Sequence, residues 1–304
     1  MRSVSTHQPL MGTAVELLID GDPDALAFAE ASMIAEITRL EHVYSAYDPS
    51  SELHRWRTDD TCVPSDELLA LLALAARWQA RSRGAYNPAV GLISAAWAQA
   101  ASSGGPPTDA ELGSLVAQVG SPRFVVIDDH VTRIGDCATL NFNAIAKGLV
   151  VDRAAAVGLA IEGIDAVTVN AGGDLVHRGA GAITVGIEDP LSPFDNAPPI
   201  AAITICDEGL ATSGGSRRGF DIAGRWFSHV IDPRTGRPVG HVLSATVVAP
   251  DAVTADVVAT IASVLDPLET IAIVEALAGV SCFIVDHTGA MTHNASWAAR
   301  VGDC

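Results

Sequence analysis

The hydrophobic positions change period along the chain. A short apolar run over 15–19 follows Met11-Gly12-Thr13-Ala14 and predicts a strand. Leu26, Met33, Ile37, Leu40 and Tyr44 then recur at helical spacing to about Ala46. Asp22 stands where an N-cap belongs and Pro23 at the first helical position. The stretch 47–53 reads as a loop. A second helix is expected over 65–82, acidic at its start (Asp66, Glu67) and basic at its end (Arg77, Arg81), with Gly84 as its stop. A third is expected over 91–101 around Trp97. The run 102–108 is linker-like, but it is short and lies between helical segments, so it reads as a loop and not a domain boundary. Apolar runs over 124–127 and 131–134 flank Asp128-Asp129-His130 and predict a hairpin.

The second half alternates more clearly. A helix is expected over 144–161, strands over 166–170, 183–188 and 200–206, and a hairpin-like stretch over 220–230. A strand over 243–248, helices over 254–265 and 267–277, and a last strand over 281–285 follow. Helices and strands are interspersed without regular βαβ repeats. The expectation is therefore α+β: one domain over 1–304, with mostly antiparallel sheet flanked by helices.

Composition narrows the class. The chain has 304 residues, 49% hydrophobic and 18% charged, which is globular and not disordered. No apolar run reaches the length of a membrane span. The first ten residues carry one Arg and no apolar block, so they do not read as a secretory signal, and a cytoplasmic protein is expected. The net charge of -18 repels nucleic acid and anionic lipid. A polyphosphate ligand would need local positive charge or a metal. Cys62, Cys137, Cys206, Cys282 and Cys304 form no CxxC pair, so reduced and mostly buried thiols are expected. Basic residues are arginine throughout, except for Lys147. A compact ammonium suits places that a planar guanidinium does not.

Five segments hold polar residues in patterns that suit chemistry. Asn141-Phe142-Asn143-Ala144-Ile145-Ala146-Lys147-Gly148 runs into a helix through Asp152, with Asn143 as the expected cap. A helix start plus one ammonium can cradle a pyrophosphate, although capped helices with a first-turn lysine are common. Val169-Asn170-Ala171-Gly172-Gly173-Asp174 ends a strand in paired glycines, which allow close backbone approach to a ligand or simply a tight turn. Ala211-Thr212-Ser213-Gly214-Gly215-Ser216-Arg217-Arg218 offers hydroxyls and two arginines for a phosphate, or is a solvated loop. His229 precedes the turn Asp232-Pro233-Arg234-Thr235-Gly236 and would suit hydroxyl activation near neutral pH. Asp256 and Thr260 are four apart on a helix, share a face, and offer hard oxygen ligands of the kind Mg²⁺ takes. Alone, each of these has an ordinary structural reading.

Together and in this order they resemble the ApbE-type FAD:protein FMN transferases. That family's pattern runs roughly MGT, Y-x-P-x-S-E-L, G-A-F-D-P-T-V-G, D-L-G-A-I-A-K-G-x-x-x-D, V-N-x-G-G-D, A-T-S-G, H-I-I-D-P-x-T-G-x-P and A-D-x-x-x-T. The matches here begin at Met11, Tyr47, Gly84, Asn141, Val169, Ala211, His229 and Ala255, and they cover nearly the whole chain. The resemblance implies Mg²⁺ held by the backbone carbonyl of Ala144 and the side chains of Asp256 and Thr260. It implies FAD contacts at Met11, Tyr47, Ala85, Tyr86, Asn87, Lys147, Gly172, Gly173, Asp174, Thr212, Ser213, His229 and Ile231. His229 and Asp256 become the catalytic candidates. The implied partner is an acceptor protein whose flavinylation-type Thr or Ser receives FMN. An FAD pyrophosphatase, with water as acceptor, and a non-catalytic flavin-binding protein are the alternatives. Some positions depart from the pattern: Asn87 replaces Asp, Ala89 replaces Thr, Asn141 and Asn143 replace Asp and Gly, and Leu149 replaces a frequent Tyr. The asparagines keep size and hydrogen bonding but remove negative charge.

Overall fold

The computed structural model describes residues 1–128, 130–192, 194, 197–215 and 218–302. Asp129, Ser216, Arg217 and Cys304, singled out above, lie outside the described residues. One antiparallel sheet of eight strands organises the chain, and its spatial order is its sequence order. The strands are Arg2–Leu10, Thr13–Gly21, Ile164–Ala171, Asp174–Gly179, Gly209–Gly214, Val242–Ala249, Ser281–Asp286 and Met291–His293. The expected α+β class with mostly antiparallel pairing is borne out. The helices are insertions between neighbouring strands, which is why no βαβ rhythm is visible in the sequence.

The helix Asn143–Leu159 lies between Pro23–Tyr44 and Ala252–Val264, and the three cover one sheet face. Val15, Leu17 and Ile19 alternate inward from Thr13–Gly21, and Val167, Val169 and Ala171 do so from the next strand. They meet Met33, Ile37 and Leu40, all fully buried. Each such side chain contributes roughly 1.5–3 kcal/mol when removed from water. A smaller core on the opposite face joins Leu175, Ile203, Val248, Phe283 and Trp297. It sits beneath the Ile183–Ile187 and Ala201–Ile205 hairpin and the Ala295–Gly302 helix, with the Phe283 and Trp297 rings stacked at 5.0 Å.

Several local expectations need correction. Arg2–Leu10 is an edge strand of alternating but weakly apolar residues, so its pattern carried little hydrophobic signal. The loop expected over 47–53 gives way at Glu52 to a short helix, Glu52–Thr58, capped by the Ser51 side chain. The helix Asp109–Gly120 starts with a reciprocal capping box between Thr108 and Glu111. The Ala211–Gly214 segment is strand and not loop. Cys137 and Cys282 are buried thiols, whereas Cys62 is half-buried and Cys206 exposed.

Candidate active site

The site is built where two helices cross. Gly148 lies in the second turn of Asn143–Leu159, against the start of Ala252–Val264. A Cβ at Gly148 would stand 2.5 Å from the Ala252 carbonyl oxygen and 2.6 Å from Val253 Cα, so only glycine allows this approach. Asp152, one turn on, fastens the crossing. Its carboxylate accepts the Ala252 and Val253 N–H groups at 3.0 and 2.9 Å and an Arg178 N–H at 3.3 Å. The close approach puts the Gly148 N–H 3.1 Å from Asp256 Oδ2. The Ala144 carbonyl lies in the first turn of the same helix, and a carbonyl oxygen has two lone pairs, so it keeps acceptor capacity beyond its helical bond. Thr260 stands one turn beyond Asp256, half-buried.

Lys147 supplies the positive charge. Its ammonium pairs with Asp174, which is 5% exposed at the side chain. Asp174 opens a strand just after the Gly172-Gly173 turn, whose φ values are 65° and 102°. A Cβ at Gly172 would come within 2.6 Å of the Thr13 hydroxyl. The turn is thereby seated on the Met11-Gly12 hairpin, where Met11 itself holds a φ of 55°. Burial works against the Lys147 charge, but Asp174 and Asp256 outweigh it and raise its pKa. Burial, and then the Asp174 charge, push the Asp256 carboxyl well above the usual carboxylate range. Two acids in one dry site are served by one ammonium, an arrangement that favours a further cation.

His229 follows the strand Arg225–Ser228 and is exposed. Its Nδ1 lies 3.1 Å from the Arg218 carbonyl oxygen. A carbonyl only accepts, so Nδ1 carries the proton and Nε2 is the free base of the neutral ring. Partial desolvation lowers the His229 pKa, the Arg218 hydrogen bond opposes this, and the charges of Arg218 and Lys147 lower it further. Arg218 also acts electrostatically on Lys147 and Asp174, so it belongs to the same group. In the sequence it is only one of two adjacent arginines in a polar run.

Other expected residues frame this group. Tyr47 is 76% exposed, and its hydroxyl accepts from Asn143 Nδ2 at 3.0 Å beside the helix start. Thr212 lies one residue beyond Ala211, the cross-strand partner of Asp174, and its hydroxyl meets Thr246 at 2.9 Å. The Ser213 carbonyl accepts from the Ser263 hydroxyl at 3.2 Å. Ala85, Asn87 and Ile231 are interior. The Asn87 amide donates to the Val119 carbonyl at 3.2 Å and accepts the Ala89 N–H at 2.9 Å. Among the described residues no hydrogen bond or ion pair joins Ala85, Asn87 or Ile231 to Lys147, Asp174 or Asp256. Asn143 is not the helix cap. Phe142 holds that position, and Asn141 Oδ1 accepts the Asn143 N–H at 2.8 Å. Ile145 and Ala146 N–H both turn back to the Phe142 carbonyl, so the helix start offers fewer free donors than expected.

The order of these segments, now gathered at one place, matches a known family along the chain: the ApbE family model aligns with residues 11–284. The chain belongs to the ApbE family. It is 30% identical over 266 residues to the FAD:protein FMN transferase of Salmonella typhimurium, covering 81% of this chain and 74% of that one. It is 32% identical over 264 residues to the FAD:protein FMN transferase of Rhodobacter capsulatus, covering 83% of this chain but 49% of that protein. Among solved structures, the ApbE protein of Thermotoga maritima superposes with a TM-score of 0.86 at 22% identity, covering 99% of each chain. The flavin transferase ApbE of Vibrio cholerae gives 0.80 at 23% identity, covering 99% of this chain and 100% of that one. At these identities the structures establish the ApbE fold. The ApbE match spans every residue of the site, from Met11 to Thr260. Among the described residues no helix is long and apolar enough to cross a membrane.

Proposed function

We propose that this chain is a magnesium-dependent FAD:protein FMN transferase. It would join FMN through a phosphoester to a Thr or Ser in a flavinylation-type motif of an acceptor protein and release AMP. One observation carries the reading: the Lys147 ammonium pairs with Asp174 and acts electrostatically on Asp256 and His229, joining four separate segments. FAD is the substrate. Lys147 and Arg218 would face its pyrophosphate, giving local positive charge on an acidic protein. The exposed Tyr47 ring suits stacking on a flat heterocycle.

The residues present fit a magnesium ion. Asp256 is buried beside a second acid, and Oδ2 alone accepts a hydrogen bond from Gly148. Among the described residues no group of three His, Cys, Asp or Glu side chains is arranged to hold a metal. A sparse oxygen set suits magnesium, which keeps waters and substrate phosphates as ligands. Ala144 carbonyl, Asp256 and Thr260 would hold it. When bound, it would offset negative charge on the phosphates.

In the transfer, the acceptor hydroxyl oxygen attacks the phosphorus on the FMN side of FAD. The bond from that phosphorus to the bridging oxygen breaks, and AMP leaves with that oxygen. The hydroxyl proton passes to His229 Nε2. The test is incubation with FAD, Mg²⁺ and a threonine-bearing acceptor peptide, read by peptide mass and free nucleotides. A peptide heavier by an FMN phosphoester, with AMP released, is expected. Free FMN and AMP with unmodified peptide would make the chain an FAD pyrophosphatase, and intact FAD would make it a flavin-binding protein.

A further inference from the structure

One arginine joins two segments of the site. Arg57 lies near the end of the helix Glu52–Thr58 and is half-buried. Its Nη1 donates to the Leu140 carbonyl at 2.6 Å, and its Nη2 donates to the Ala46 carbonyl at 2.8 Å. Nη2 also reaches His54 Nδ1 at 3.4 Å, which accepts because a guanidinium only donates. Among the described residues no carboxylate pairs with Arg57, and its Nε is buried without a hydrogen bond. Withdrawing a cation from water without a counter-anion costs stability, so ion pairing does not account for this guanidinium. What it does is hold two backbone carbonyls of distant segments at a fixed separation. A planar fork does this and a single-point ammonium does not.

Both segments bear on the site. Ala46 precedes Tyr47, whose ring is exposed. Leu140 leads through Asn141 into Phe142, the cap of the helix that carries Lys147. The Asn143 amide donates to the Tyr47 hydroxyl at 3.0 Å, which closes a ring through Arg57, Ala46-Tyr47, Asn143 and Leu140. The Tyr47 loop keeps its own shape by local bonds. Ser45 Oγ accepts the Tyr47 and Asp48 N–H groups at 3.3 and 3.1 Å, and the Ser51 hydroxyl donates to the Ser45 carbonyl at 2.7 Å. Those bonds fix the form of the loop but not its place. Among the described residues, its hydrogen-bonded ties to the helix start are the Asn143–Tyr47 bond and the Arg57 bridge. The first joins two exposed side chains and competes with water, which leaves Arg57 as the firmer tie.

We propose that Arg57 is a positioning residue for FAD, setting the distance between the Tyr47 ring and the start of the Lys147 helix. This role rests on the FAD reading above, in which Tyr47 takes a flat heterocycle and Lys147 faces the pyrophosphate. With the two held at one spacing, a single ligand engages both. The gain is preorganisation: a loop already in place does not have to be ordered when the ligand binds.

The test is a double-mutant cycle of wild type, Arg57→Met, Tyr47→Ala and the double variant, with Arg57→Lys alongside. Each is titrated calorimetrically with FAD, first in EDTA and then with Mg²⁺, and its melting temperature is recorded. Arg57→Met is expected to weaken FAD binding about 10-fold, the scale of coupling within one hydrogen-bonded network. In peptide flavinylation its KM for FAD should rise while kcat stays within about twofold, the mark of lost ground-state binding. In the Tyr47→Ala background the same substitution is expected to change affinity less than about twofold, because the residue it positions is gone. Arg57→Lys keeps the charge without the fork and is expected to bind FAD as weakly as Arg57→Met. Equal losses in both backgrounds would overturn the role, since Arg57 would then act independently of Tyr47. Wild-type affinity in Arg57→Lys would overturn it too, making charge the contribution. A lower melting temperature with unchanged FAD affinity would make Arg57 structural only. A wild type that binds no FAD in either condition would overturn the flavin reading and this role with it. A wild type that modifies its peptide, with Arg57→Met matching its FAD affinity, would overturn this role alone.

Discussion

The Gly148 N–H donates to Asp256 Oδ2 at 3.1 Å across 108 positions of sequence. One hydrogen bond thereby joins the lysine-bearing helix to the acid-bearing helix. It forms because Gly148 has no side chain to hold the helices apart. The absence of a Cβ at one position is thus a condition for the site.

Gly148→Ala is expected to break this relationship. The added methyl meets the Ala252 carbonyl and Val253 Cα, which are backbone atoms and cannot rotate away. Overpacking of this kind costs about 1–3 kcal/mol. Denaturant unfolding should show that loss, and FMN transfer should fall with it as Asp256 is displaced.

Asp256→Asn separates charge from shape. The amide oxygen can still accept the Gly148 N–H, and one of two neighbouring buried acids is neutralised. The melting temperature is expected to hold or rise. Transfer is expected to fall on the order of 10²-fold, the scale of losing one preorganised electrostatic contact. A stable variant with full activity would remove Asp256 from the catalytic set.

Lys147→Met leaves Asp174 buried without its partner. The loss is expected to be on the order of 2 kcal/mol, less than for a fully buried pair because the lysine is 31% exposed. The Asp174 pKa is already raised by burial, and removing Lys147 raises it further. An acid whose folded pKa exceeds its unfolded value loses stability as pH rises through the unfolded value. The deficit of Lys147→Met against wild type should therefore be small near pH 4 and larger near neutrality, as read by melting temperature across that range.

His229 should act as a base in its neutral form. Its pKa is lowered by desolvation, then by Arg218 and Lys147 against the opposing carbonyl bond. Neutral imidazole then persists below the ordinary value of about 6.5, so the acid limb of kcat/KM should fall below that pH. His229→Ala should abolish that limb and reduce kcat by about 10²–10⁴-fold while FAD still binds. An unchanged acid limb in His229→Ala would assign it to another group.

Much of the molecule was legible in the sequence. Strong periodicity marked the core helices, and Asp22-Pro23 and Ser65 marked two of their starts. Asp256 and Thr260 were readable as one helix face because helical spacing is local. Other local signals were weak or misleading. The edge strand Arg2–Leu10 buries too little to need apolar residues, whereas Thr108 and Glu111 spell out a capping box three residues apart. Asn143 resembled a cap by residue type, but the chain enters the helix one residue earlier and uses Asn141.

The sequence by itself determined which residue types were present and in what order, and that order marks the family. Only the tertiary structure decided which of them meet. Lys147 finds Asp174 through a turn seated on Thr13, and Asp256 finds Gly148 through a helix contact with no room for a side chain. The physical reason is range. Propensity, capping and periodicity act over a few residues, whereas charge pairing and burial act between groups brought together from distant segments. The partnerless hydroxyl of Tyr86 shows the difference most plainly: in the sequence it belongs to one more aromatic residue, and in the fold it is buried without a hydrogen bond.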